Sequence, residues 1–147
     1  MSIVQLQPEC ILLNMQAVEK EAALKELAGT ATLNRPELNT EQLFSVLLER
    51  ERIGSTGVGN GVAIPHGKIA DLTDIILCFG RSIGGIYYDA IDERPVHLFA
   101  LLLSPTRIAN QYLQALAHVS SVLKQEHNRR KLLDTTSSEQ IVQIFNS

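Results

Sequence analysis

The chain of 147 residues reads as a layered α/β protein with a mostly buried central β-sheet. Two runs, Ile75 to Phe79 and Val96 to Leu103, are continuously apolar or β-rich and bounded by turn residues, as expected of strands covered on both faces. Segments with apolar residues at helical spacing stand before, between and after such runs. The alternation of the two element types implies helices packed on a shared sheet.

Cys10 to Leu13 is a short apolar run consistent with a first strand. A helix follows from about Val18 to Thr30, with Leu24, Leu27, Ala28 and Ala31 on one side and Lys20, Lys25 and the glutamates facing away. A polar turn containing Asn34, Pro36 and Asn39 leads to a second helix, which Asn39 or Thr40 caps and Gln42 supports in a capping-box-like pattern. Leu43, Phe44, Leu47 and Leu48 form its buried stripe, and it ends close to Arg50. Gly84-Gly85 and Asp92-Glu93 mark turns between the two apolar strands. Ile108 to Leu123 is a long helix with Leu113, Leu116, Ala117, Ser120 and Leu123 along one side. Ser137-Ser138-Glu139-Gln140 supplies another capping box before a last helix that ends near Phe145.

Length and a hydrophobic fraction of 45% fit one domain, residues 1–147, with a substantial core. A net charge of −3 argues against a nucleic-acid surface, and the short run Arg129-Arg130-Lys131 reads as a solvated helix face. Cys10 and Cys78 are too far apart in sequence for a metal-binding pair and read as reduced thiols. The start MSIVQLQPEC lacks the features of a signal peptide, and no apolar run approaches membrane-spanning length. The expectation is a cytoplasmic protein with no membrane insertion.

Arg50 to Lys68, RERIGSTGVGNGVAIPHGK, places His66 behind a glycine-rich loop and ahead of Gly67-Lys68. Glycines 54, 57, 59 and 61 allow close approach and positive φ, and Pro65 biases Ile64 toward an extended conformation, so the imidazole sits at a rigid strand end. Imidazole is both neutral and nucleophilic at cytoplasmic pH. Backbone N–H groups of such a loop are expected to form an anion-binding nest. A nucleophile beside an anion site points to phosphoryl chemistry.

This stretch resembles the enzyme IIA domains of the mannitol/fructose class in the bacterial phosphoenolpyruvate-dependent phosphotransferase system. The shared pattern is Arg50-Glu51, Gly54-Ser55-Thr56, alternating glycines from Gly57 to Gly61, and Ala63-Ile64-Pro65-His66-Gly67. Similarity continues through YDAIDERPVHLFALLLSP, Tyr88 to Pro105, and into the later helix. Within the class the chain looks most like the nitrogen-related, regulatory enzyme IIA, because of Asp89-Ala90-Ile91-Asp92 and the absence of attached domains. The resemblance implies a mixed sheet of about five strands sandwiched between helices. It also implies a phosphohistidine carrier that accepts its phosphoryl group on His66 from an HPr-type phosphocarrier protein.

The family commonly carries a second active-site histidine on the long helix. Aligning Leu113 to Leu116 with the family's pattern places that position at 112, which is tyrosine here. Tyr112 is therefore the candidate substitute at the second site, able to donate a hydrogen bond but not an imidazolium charge. His118 lies six residues later, about 600° around the helix, and reads as structural or surface. His97 is expected to pack beside the sheet, and His127 to be solvated.

Attack by His66 on a phosphoryl group requires positioning and charge stabilisation. Arg50 suits this role, since its planar guanidinium can bridge two phosphoryl oxygens. Ser55 and Thr56 offer hydroxyl donors, or cap the loop. Lys68 attracts the partner or is solvated. The Gly61–Lys68 interval is one residue too long for a P-loop, Gly57–Gly61 lacks dinucleotide spacing, and Ser55 lacks the glycine of a nucleophile elbow. No metal and no cofactor is implied. Three readings of function follow: a regulatory phosphocarrier; a sugar-specific enzyme IIA passing phosphate to an enzyme IIB; and a module that binds regulated target proteins without transferring phosphate.

Overall fold

A computed structural model describes residues 4–33 and 35–147. Asn34 of the expected polar turn and residues 1–3 of the amino-terminal segment lie outside the described residues. A short 3-10 turn, Pro8–Cys10, leads into β1 (Ile11–Leu12), α1 (Lys20–Thr32) and α2 (Thr40–Ile53). Then come β2 (Gly57–Gly59), β3 (Val62–Ala63), β4 (His66–Ile69), β5 (Ile76–Ile86) and β6 (Val96–Pro105), followed by α3 (Ala109–Lys124), α4 (Glu126–Asp134) and α5 (Ser138–Asn146).

Among the described residues the sheet has six strands in the order β1-β5-β6-β3-β2, with β4 also paired to β6. It is mixed, as expected: β5 runs antiparallel to β6, whereas β3 and β4 run parallel to it. Val62 pairs with Leu98 and His66 with Leu102 in the same register, so β3 and β4 are one line of chain interrupted at Ile64-Pro65. Proline has no N–H to give to a ladder.

Successive residues of β6 serve two cores. Phe99, Leu101 and Leu103 face α1 and α2, while Leu98, Ala100 and Leu102 face α3, α4 and α5. A strand buried on both sides must be apolar at every position, which is why this segment reads as an unbroken run. Asn39 caps α2 through the Gln42 amide at 3.0 Å, and Ser137 caps α5 through the Gln140 amide at 3.2 Å. Both side chains satisfy amides that the first turn of a helix leaves open.

Three expectations are corrected. Gly84-Gly85 is not a turn between strands but lies inside β5, where the register shifts between Arg81 and Ile86. Gly85 has φ +85°, and a Cβ there would stand 2.8 Å from His97 Cε1, so the pair forms an irregularity in a long strand. The buried side of α3 is Tyr112, Ala115, Val119, Val122 and Leu123, whereas Leu113, Ala117 and Ser120 are exposed. Both rows have helical spacing, and packing on β6 selects the first. Finally, Lys20 does not face away: its side chain is largely buried and pairs with Glu51.

Candidate active site

His66 opens β4 on the face covered by α3, while its neighbour Gly67 faces α2. A Cβ at Gly67 would lie 2.8 Å from Val46 Cγ1, so the glycine permits α2 to lie against the edge strand. This close approach carries Arg50, in the last turn of α2, to the imidazole. Arg50 Nε donates to His66 Nε2 at 3.3 Å and Arg50 Nη1 donates to the Gly54 carbonyl at 3.0 Å. On the other side of the ring, His66 Nδ1 is 2.8 Å from the Ile64 carbonyl oxygen. A carbonyl can only accept, so Nδ1 carries the proton and Nε2 presents its lone pair toward Arg50.

The loop after α2 is held by a buried carboxylate. Glu51 accepts the Thr56 amide at 3.0 Å and the Thr56 hydroxyl, and pairs with Lys20 Nζ at 3.0 Å. Because the Thr56 proton goes to Glu51, the Tyr88 hydroxyl donates to Thr56 Oγ1 at 3.2 Å. Burial pushes the Tyr88 phenol well above its ordinary range, and the Glu51 charge adds to the effect. Lys20 Nζ also stands 4.8 Å from the centre of the Tyr88 ring, a cation–π distance. Glu51, Lys20 and Tyr88 were missed as site residues by sequence reasoning. The available signal was spacing: Leu43, Leu47 and Glu51 fall on one stripe of α2, and a charge on an apolar stripe calls for a buried partner.

Ser55 and Thr56 are both turned to partners within the protein. Ser55 Oγ donates to the Tyr88 carbonyl at 3.0 Å and accepts the Gly57 amide at 3.0 Å. The expected anion nest is corrected as well. Gly57–Ala63 is a β-hairpin whose turn residues Asn60 and Gly61 have φ of 58° and 75°, the positive values that tight hairpin turns demand. Amides along this stretch have partners within the protein: Thr56 N donates to Glu51, Gly57 N to Ser55 Oγ, Asn60 N to Asp92 Oδ2 at 3.1 Å and Ile64 N to the Thr56 carbonyl at 3.0 Å.

Tyr112 reaches the site from α3, with its ring centre 6.0 Å from that of His66. Burial raises the phenol's pKa, an effect the nearby Arg50 charge opposes. Lys68 Nζ lies 5.6 Å from the Tyr112 ring centre. Together Arg50, Ile53, His66, Lys68 and Tyr112 line an open groove of about 690 Å³ between α2 and α3. Cations and donors surround an accessible imidazole there, an arrangement suited to a small multiply charged anion. The other histidines are elsewhere employed: His118 Nε2 donates to the Phe145 carbonyl at 2.6 Å and His97 Nδ1 to that of Ser82 at 3.0 Å, while His127 is exposed. Among the described residues, no group of three or more His, Cys, Asp or Glu is placed to hold a metal ion, and no helix is long and apolar enough to cross a membrane.

The family model described as "Phosphoenolpyruvate-dependent sugar phosphotransferase system, EIIA 2" matches residues 5–147. The chain belongs to this EIIA 2 family. Its EIIA 2 relatives include the nitrogen regulatory protein of Bradyrhizobium diazoefficiens, 37% identical over 94% of this chain and 90% of that protein. Another is the fructose-specific EIIABC component of Bacillus subtilis, 35% identical over 96% of this chain. The chain spans only 22% of that longer protein. Among solved structures, the nitrogen regulatory protein IIA-Ntr of Neisseria meningitidis superposes with a TM-score of 0.89, at 32% identity and 95% coverage of both chains. Membership of the EIIA 2 family agrees with the resemblance carried by Arg50–Gly67, and relatives of both regulatory and sugar-specific name accompany it.

Proposed function

We propose that this EIIA 2 protein is a phosphohistidine carrier in which His66 Nε2 accepts a phosphoryl group from an HPr-type phosphocarrier. The observation that carries the reading is the hydrogen bond from Nδ1 to the Ile64 carbonyl, which leaves Nε2 as the nucleophilic atom. In the transfer, the Nε2 lone pair forms a bond to phosphorus as the bond from phosphorus to the donor's nitrogen breaks. The positive charge gained by the His66 ring is met by the Ile64 carbonyl, whose hydrogen bond strengthens as Nδ1–H becomes more acidic. Arg50 exchanges its bond to Nε2 for bonds to the phosphoryl oxygens, where charge is spread in a loose transition state. Tyr112 offers a neutral donor from the opposite wall. Ser55 and Thr56 act on the phosphoryl group indirectly, by fixing the loop against Tyr88 and Glu51.

Incubation with phosphoenolpyruvate and the upstream components should add one acid-labile phosphate, absent in His66→Ala. Intact mass showing equal addition in that variant would reject the assignment.

The recipient of the phosphate is best read as regulatory. Similarity to two nitrogen regulatory proteins over 90% or more of their lengths supports this choice. Phosphotransfer to one enzyme IIB domain, among the full set from the same organism, would instead indicate sugar uptake. A non-transferring role is favoured by one observation only, the neutral phenol of Tyr112 at the position of the family's second histidine. Equal affinity of a regulated target for wild type and His66→Glu would support that role.

A further inference from the structure

At the far edge of the sheet from β4, two thiols stand side by side. Ile11 of β1 pairs in parallel with Phe79 of β5, and Cys10 and Cys78 are the residues immediately before them. Neighbouring strands lie about 4.8 Å apart, inside the span of Cα atoms that a disulfide joins. Both side chains pack in the same core layer under α1. Cys78 is fully buried in the core under α1, whereas Cys10 is part-exposed and lines a cavity of about 340 Å³ whose rim holds the Arg35–Asp74 ion pair.

We propose that Cys10 and Cys78 form a reversible intramolecular disulfide in response to peroxide. The neighbouring Cys78 thiol holds Cys10 below the ordinary thiol range, with Arg35 adding in the same direction. The interaction with Cys10 and burial hold Cys78 well above it. Reactivity follows thiolate character and access, so Cys10 is the attacking residue and Cys78 the resolving one. Cys10 thiolate attacks one peroxide oxygen, the O–O bond breaks, and the departing oxygen leaves as water after taking up a proton. The Cys78 sulfur then attacks the Cys10 sulfenic acid, loses its proton and expels a second water. Two thiols and one peroxide thus become one disulfide and two waters. The bond would tie β1 to β5 without touching His66, which lies on the other side of β6.

The test is intact-mass and peptide mapping of the full chain after hydrogen peroxide, under denaturing, non-reducing conditions. Expected are the loss of two hydrogen masses, a Cys10–Cys78 linked peptide, loss of alkylation at both thiols, and full recovery with a dithiol reductant. Cys78→Ser should instead stop at added oxygen on Cys10, and Cys10→Ser should remain largely unmodified at the same peroxide dose. The linked peptide is read from wild-type protein, so the result stands even if a variant folds poorly. An unchanged mass, oxygen added to wild type without loss of two hydrogens, or a bond between two chains would each overturn the proposal.

Discussion

Arg50 Nε and His66 Nε2 meet at 3.3 Å, a contact that joins the last turn of α2 to the first residue of β4. One residue brings a delocalised charge and the other a lone pair, so removal of either should act on transfer before it acts on folding. Arg50→Ala is expected to slow phosphoryl acceptance by about 100-fold, the usual effect of losing one donor to developing charge. Arg50→Lys keeps the charge but loses the planar fork and should fall between. Quench-flow measurement of phosphorylated protein checks both, and wild-type rates in Arg50→Ala would remove Arg50 from the mechanism.

Gly67 makes the Arg50 contact geometrically available. Gly67→Ala should force α2 off β4, because the new Cβ meets the stiff side chain of Val46 at 2.8 Å. Overpacking of this kind costs about 1–3 kcal/mol. Val46→Ala opens the space, so the double variant should regain part of both stability and transfer rate. Urea unfolding of the four proteins in a double-mutant cycle measures the coupling, and strictly additive losses would contradict the close-approach account.

In the proposed transfer the Tyr112 hydroxyl donates to the phosphoryl group from α3. Tyr112→Phe retains the ring's packing and should slow transfer by about fivefold, the equivalent of one neutral hydrogen bond of about 1 kcal/mol. Tyr112→His should make the rate pH dependent around the imidazole range, with faster transfer on the acidic side as charge is gained. A Tyr112→Phe enzyme equal to wild type would leave the phenol a packing role alone.

Glu51 is a buried anion whose partners are a partly buried ammonium and the Thr56 amide and hydroxyl. Glu51→Ala should lower stability by about 3 kcal/mol, since it strands the Lys20 charge and the Thr56 donors. Lys20→Met should cost less, because the Thr56 donors remain with the carboxylate. Equal and small losses in denaturant titrations would show that this network does not hold the loop.

Tyr88 supplies a pH dependence at the alkaline end. Its phenol is raised in the folded state by burial and by the Glu51 charge, so above the ordinary tyrosine value the unfolded chain binds fewer protons than the folded one. Stability is therefore complete below about pH 10 and declines as pH rises beyond it, by up to about 1.4 kcal/mol per pH unit for this one group. Tyr88→Phe should flatten that decline while losing the bond to Thr56. A denaturation profile with the same alkaline slope in both proteins would rule the phenol out as its source.

Much of this architecture was legible in the order of residues. The continuous apolar run of β6 announced a strand covered on two faces, and Asn39 and Ser137 announced helix starts, because burial and capping act through neighbours in the chain. The motif from Arg50 to Gly67 likewise singled out His66 and Arg50, which the fold brings together at 3.3 Å, whereas its glycine-rich loop read as an anion nest and is the β2–β3 hairpin. Tertiary packing decided what periodicity left balanced. Leu113-Leu116-Ala117-Ser120 and Tyr112-Ala115-Val119-Val122 are both rows at helical spacing, and contact with β6 buried the second, which is what turns Tyr112 toward His66. Long-range pairing also set the partners of polar groups: the carboxylate of Glu51 captured Thr56, and the Ile64 carbonyl fixed the proton on Nδ1 of His66. A sequence specifies which side chains can donate or accept, but partners separated in the chain are chosen only when the sheet and helices close around them.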